Sequence, residues 1–106
     1  MKRTRIRAVS TRRTKQLREE VAVKKLALAR DKGCVARWYV GTQVNDTTVP
    51  ECFGRLEKDE IVSRSRGGSP TDLTNVQILC AGHNVWKEDH PTVAVALGLA
   101  KHSWAH

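Results

Sequence analysis

The sequence predicts a small α+β domain stapled by a metal ion, and three observations lead there. A long run of helix-forming residues comes first, and short β-branched runs separated by turn residues follow it. Three cysteines, at 34, 52 and 80, cannot pair off into disulfides, and a histidine lies three residues after the last of them. A chain of 106 residues buries only about 60 to 70% of the surface it exposes when unfolded. Three Trp, one Tyr and one Phe leave the core to Val, Leu, Ile and Ala, so a further constraint is expected.

The clearest helix runs from Thr14 to Asp31, with leucines at 17, 26 and 28 and Glu20 four residues before Lys24. Gly33 is placed to stop it. Cys34 to Val44, with Trp38, Tyr39 and Val40, predicts a strand, and Asn45 to Thr48 with Pro50 a loop. Arg55 to Val62 predicts a second strand, ending at the Ser63 to Pro70 loop with its paired glycines. Val76 to Leu79 predicts a third, running through Cys80 into a helix over Ala81 to Asp89. After Pro91 a short helix is expected over Thr92 to Leu99, around Val93, Val95 and Leu97, and then a loose tail from Lys101 to His106.

The formal charge of +8 is unevenly spread: Met1 to Arg18 holds eight Lys or Arg and no acid, while the remaining residues hold eleven of each sign. Residues 1–18 therefore read as a basic arm and 19–106 as the folded domain. Cations arrayed on a duplex backbone release condensed counterions, so the arm suits nucleic acid; a solubility tail or an anionic-lipid contact is the alternative. No apolar run approaches the roughly 20 residues needed to cross a bilayer, and the N-terminus lacks a signal peptide's apolar stretch, so a soluble, cytoplasmic protein is expected.

Cys80-Ala81-Gly82-His83 has the gap that presents two side chains to one tetrahedral Zn²⁺, and Cys34 and Cys52 supply two more ligands. Cys34 is the least constrained, because the chain must loop out after it and return to Cys52. The alternative leaves the cysteines unliganded, as small buried apolar residues.

Cys52-Phe53-Gly54, then Asp59-Glu60-Ile61-Val62-Ser63-Arg64-Ser65-Arg66-Gly67-Gly68, then Thr74 to Cys80, His83-Asn84 and Lys87 carry a more specific pattern. Over residues 52–88 the chain resembles the HNH endonucleases, in a phage-like version. The resemblance implies a ββα-metal (His-Me finger) core with flanking helices, stabilised by zinc, that hydrolyses DNA phosphodiesters by nicking or weakly selective cleavage. It implies Asp59 and Asn84 as ligands of a catalytic Mg²⁺ or Mn²⁺, Asn75 as the residue bracing the loop, and Glu60 where a histidine base is expected. Phosphodiester hydrolysis needs an activated water and a cation against the developing charge, and hard oxygens suit Mg²⁺ or Mn²⁺. A glutamate is a weaker base than imidazole unless burial raises its pKa. His83 is assigned to zinc, because Asn84 in its place would leave zinc three protein ligands. Arg64, Arg66 and Lys87 are the expected phosphate contacts. By analogy the resemblance also implies genome processing or packaging near a phage terminase, in the host cytoplasm. A non-catalytic zinc-stabilised DNA-binding module, with Glu60 marking a lost base, and an assembly protein whose arm holds nucleic acid are the alternatives.

Overall fold

The computed structural model describes residues 2–102, with side chains from residue 11 onward. Ser103 to His106, and with them Trp104 and most of the expected loose tail, lie outside the described residues. So do the side chains of the first four cations of the basic segment, Lys2, Arg3, Arg5 and Arg7.

Helix α1 spans Lys2–Asp31 and runs unbroken across residue 18, so the basic segment enters it as its first turns. Its docked face is Glu20, Val23, Ala27 and Asp31, spaced by three and four residues, while Leu17 and Leu26 are exposed. Of the three leucines only Leu28 packs partly against the core, and the small Ala27, fully buried, lets the helix lie close against a strand. The helix is stopped one residue earlier than Gly33 suggests, by Lys32 in the left-handed conformation (φ 62°), whose N–H donates to the Leu28 carbonyl at 2.8 Å.

The expected strand over Cys34 to Val44 is instead a short 3-10 helix, Val35–Tyr39, followed by a hairpin of β1 (Gln43–Val44) and β2 (Thr47–Thr48). Arg37 forces the compact turn, donating to the Asp31 and Cys34 carbonyls at 3.0 and 2.8 Å. The hairpin turns at Asn45 and Asp46, both with positive φ, the signature of a two-residue type I′ turn. That hairpin is the return path that Cys34 and Cys52 require.

Strands β3 (Leu56–Glu60) and β4 (Val76–Cys80) pair antiparallel, with Asp59 opposite Gln77 and Glu60 opposite Val76. Every residue of β4 is buried. One face, with Val76 and Ile78, packs on Val23 and Ala27 of α1. Leu79 and Cys80 join Cys34, Ala36, Val49, Trp86, Val93 and Ala94 in a second cluster on the other side. Helix α2 (Ala81–Asp89) follows β4 directly, and α3 (Pro91–Ala96) starts with proline at its first position. Asp31 ties α1 to the strand: its carboxylate accepts from the Ile78 N–H at 3.1 Å and pairs with Arg30, which also donates to the Leu73 and Val76 carbonyls. No helix among the described residues is long and apolar enough to cross a membrane.

Candidate metal centre and adjoining cleft

The structure brings Cys34, Cys52, Cys80 and His83 together, their ligand atoms all within 4.8 Å of one another. The four arrive by three routes. Cys34 follows the corner at the end of α1, and Cys52 follows the hairpin. Cys80 and His83 sit at the start of α2, with Cys80 as its N-cap. The segment after Cys52 is laid against the helix start by two backbone bonds, from Ala81 to Arg55 and from Gly82 to Phe53, at 2.8 and 2.7 Å.

The imidazole of His83 is fully buried and oriented for ligation. Its Nε2 lies 2.7 Å from the Pro50 carbonyl, which can only accept, so Nε2 carries the proton and Nδ1 presents a lone pair. Nδ1 is 3.1 Å from Cys80 Sγ and 3.5 Å from Cys34 Sγ. A tetrahedral zinc, with bonds of about 2.3 Å to sulfur and 2.0 Å to nitrogen, sets such edges at roughly 3.5 Å. The Cys80 sulfur accepts from the backbone N–H of His83 at 3.3 Å and of Phe53 at 3.4 Å. Burial raises the Cys80 pKa, but these two N–H groups, together with hydrogen bonds from the Cys34 and Cys52 thiols, outweigh it and hold the thiol below its ordinary value. Cys52 is pushed up to about 12, by burial first and then by the negative charge of Cys34. Three thiols brought this close can all ionise only against a cation, and the donor set and orientations fit a structural metal such as zinc.

The expected catalytic residues divide between two faces of β3. Asp59 and Glu57 face α2: Asn84 donates to Glu57 at 2.9 Å, and Lys87 Nζ donates to Asp59 Oδ2 at 2.6 Å. Gln77, directly across the sheet, donates to the same Asp59 oxygen at 2.9 Å and to the Leu99 carbonyl at 2.7 Å. Burial pushes the Asp59 carboxyl up, and Lys87 and Gln77 only partly offset it. Lys58 and Glu60 face α1, closing a ring of four charges. Lys58 meets Glu20 at 3.3 Å and Glu60 at 3.2 Å, and Arg64 meets Glu60 at 2.9 Å and Glu20. Burial raises the Glu60 pKa, but Arg64 and Lys58 outweigh it and leave the carboxyl below its ordinary value. A base at Glu60 needs the opposite shift.

Asp59, Asn84, Lys87 and Arg66 nevertheless line one open cleft of about 370 Å³, with Lys101 and His102 brought to its rim by a bond from the Lys101 N–H to the Ile61 carbonyl at 3.0 Å. Glu60 borders the cleft too, its carbonyl accepting from Lys87 at 2.9 Å. Arg64 is not among the lining residues; its guanidinium is held by Glu20 and Glu60 rather than free for phosphate. Lys87, another expected phosphate contact, is buried and ion-paired with Asp59. Asn75 lies beside the cleft as a brace. Its Oδ1 accepts from the Val62 N–H at 2.8 Å, and its amide donates to the Val62 and Ser69 carbonyls, each at 3.0 Å.

A hard divalent cation at Asp59 and Asn84 does not fit these residues as arranged. Asp59 Oδ2 already takes two N–H donors, the Asn84 amide is directed to Glu57, and an ammonium stands among them. The roles of Lys87 and Gln77 at Asp59 were hidden in the sequence. The i, i+4 spacing of His83 and Lys87 was the available signal for a shared face; the register opposite Gln77, and the approach of Lys101 and His102, carried none.

Compared with known protein families, with curated proteins and with solved structures, the chain matches none.

Proposed function

We propose that the chain is a zinc-stapled HNH-type endonuclease that hydrolyses DNA phosphodiesters slowly, by nicking. The observation that carries this reading is the strand, strand, helix unit of β3, β4 and α2, in which Asp59 and Asn84 open onto one cleft beside the loop braced by Asn75. Cys80 and His83, at the junction of β4 and α2, fix that unit through the metal group. Arg12, Arg13, Lys15 and Arg18, all exposed on α1, supply a sequence-independent footprint for a duplex. In the cleft, Lys87 and Arg66 neutralise charge developing on a phosphate. Glu60, held as a carboxylate by Lys58 and Arg64, is a weak base for water, which is why turnover is expected to be slow. The resemblance also implies Mg²⁺ or Mn²⁺ on Asp59 and Asn84; the Lys87 ammonium on Asp59 stands against such an ion.

The test is conversion of supercoiled plasmid to open circles by zinc-loaded protein, in divalent-free buffer and with Mg²⁺ or Mn²⁺ added. Nicking in any of these that Asp59→Ala and Asn84→Ala both abolish supports the reading. Binding without nicking under all of them favours the second reading, a non-catalytic DNA-binding module, which the ion pairing of both Asp59 and Glu60 supports.

A further inference from the structure

We propose that the ammonium of Lys87 is the cleft's own cation, standing where a divalent ion would bind and receiving a phosphodiester oxygen through its remaining N–H. The inference rests on reading the cleft as a phosphodiester site. Lys87 Nζ has three donors; two go to Asp59 Oδ2 at 2.6 Å and to the Glu60 carbonyl at 2.9 Å, which leaves one for a ligand. The side chain is only 8% exposed, so its stem is packed and its head has few alternative positions. Asp59 is equally fixed, because Gln77 holds its Oδ2 and is itself anchored on the Leu99 carbonyl.

Mg²⁺ demands about six oxygens near 2.1 Å, and an ammonium at hydrogen-bond distance from the same carboxylate oxygen denies it both room and charge. The lining charges favour an anion instead. Lys87 offsets Asp59 and Lys58 offsets Glu60, and Arg66 with Lys101 outweighs Glu88. A phosphodiester carries one negative charge and unpaired acceptor oxygens, which this arrangement matches without an added ion.

The experiment uses the zinc-loaded full chain with two probes, Mn²⁺ alone and a thymidine dinucleotide too short to span from the cleft along α1. Bound Mn²⁺ is read by electron paramagnetic resonance, and dinucleotide binding by ¹H–¹⁵N chemical shifts at constant ionic strength. Wild type is expected to hold no Mn²⁺ that Asp59→Asn removes, and to bind the dinucleotide equally with and without Mg²⁺. Lys87→Met is expected to lose about tenfold in dinucleotide affinity, the scale of one charge-assisted hydrogen bond, and to gain Mn²⁺ binding. Lys87→Arg keeps the cation and should keep most of the affinity. One Mn²⁺ bound to wild type and lost in Asp59→Asn overturns the proposal, whether or not Lys87→Met folds. Unchanged dinucleotide binding by folded Lys87→Met overturns it too. Nicking enters neither readout, so a protein that fails the plasmid test can still satisfy this one, and the reverse.

Discussion

Replacing Asn75 with alanine removes three hydrogen bonds at once, those to the Val62 N–H, the Val62 carbonyl and the Ser69 carbonyl. Leaving a buried polar group unpaired costs about 1 to 3 kcal/mol. Val62 is 1% exposed, whereas the Ser69 end of the loop is half-buried and water can replace that bond. Two costly losses near the low end of the range give about 2 to 4 kcal/mol. Asn75→Asp sharpens the test. It keeps an acceptor for the Val62 N–H but turns a carboxylate oxygen toward two carbonyls, so it should destabilise more than alanine at neutral pH and recover as the carboxyl protonates. The assay is urea unfolding of zinc-loaded protein, with midpoints compared at fixed slope. Asn75→Asp at least as stable as Asn75→Ala at pH 7 would refute the bracing geometry.

Further outcomes are expected elsewhere. Purified protein should carry one zinc per chain, lost in Cys80→Ala and in His83→Ala and released as pH falls, because protons compete for thiolates and imidazole; elemental analysis after dialysis at graded pH checks this. Lys87→Ala leaves Asp59 buried and unpaired and should cost about 3 to 5 kcal/mol, while Lys87→Met with Asp59→Asn should cost clearly less, measured as a double-mutant cycle in urea. Asp31 is held below its ordinary pKa, by the Arg30 hydrogen bond first, opposed by burial and aided by the Ile78 N–H. A folded pKa below the unfolded one means that the stability from Asp31 is fully present above about pH 4 and is lost as pH falls through the folded value. Unfolding midpoints of Asp31→Asn across pH 2 to 5, on the order of the range in which a carboxylate titrates, should therefore show a shallower acid slope than wild type.

The elements that the sequence made legible are those whose signal is local. β3, β4 and α2 fall at or within a residue or two of where alternation and turn residues put them, and the four metal ligands were readable because cysteine and histidine have few other uses at that spacing. What was illegible depends on partners distant in the chain. Arg37 reaching back to Asp31 makes a 3-10 turn of residues whose β-branched and aromatic character suggests a strand. The docked face of α1 follows the small Ala27 rather than the larger leucines, because close approach to β4 outweighs side-chain size there. At the cleft, adjacency misled: Asp59 and Glu60 are neighbours in sequence, yet a strand sends successive side chains to opposite faces, one to Lys87 and the other to Arg64.

Both small cores hang on β4, a strand of five residues, with Val76 and Ile78 leaning on α1 and Leu79 and Cys80 closing over the metal group. The α1 side contributes only Val23 and Ala27, with Val76 and Ile78 of β4, as its buried apolar residues, so the two halves are expected to stand or fall together. Loss of an ion held at Cys80 would therefore be felt at Ala27 as a loss of support, although no described side chain of α1 belongs to the Cys3His group. Amide exchange should accordingly find one cooperative unit, with Val23 and Leu79 opening at a common free energy, and chelation should release the N-terminal helix together with the metal site.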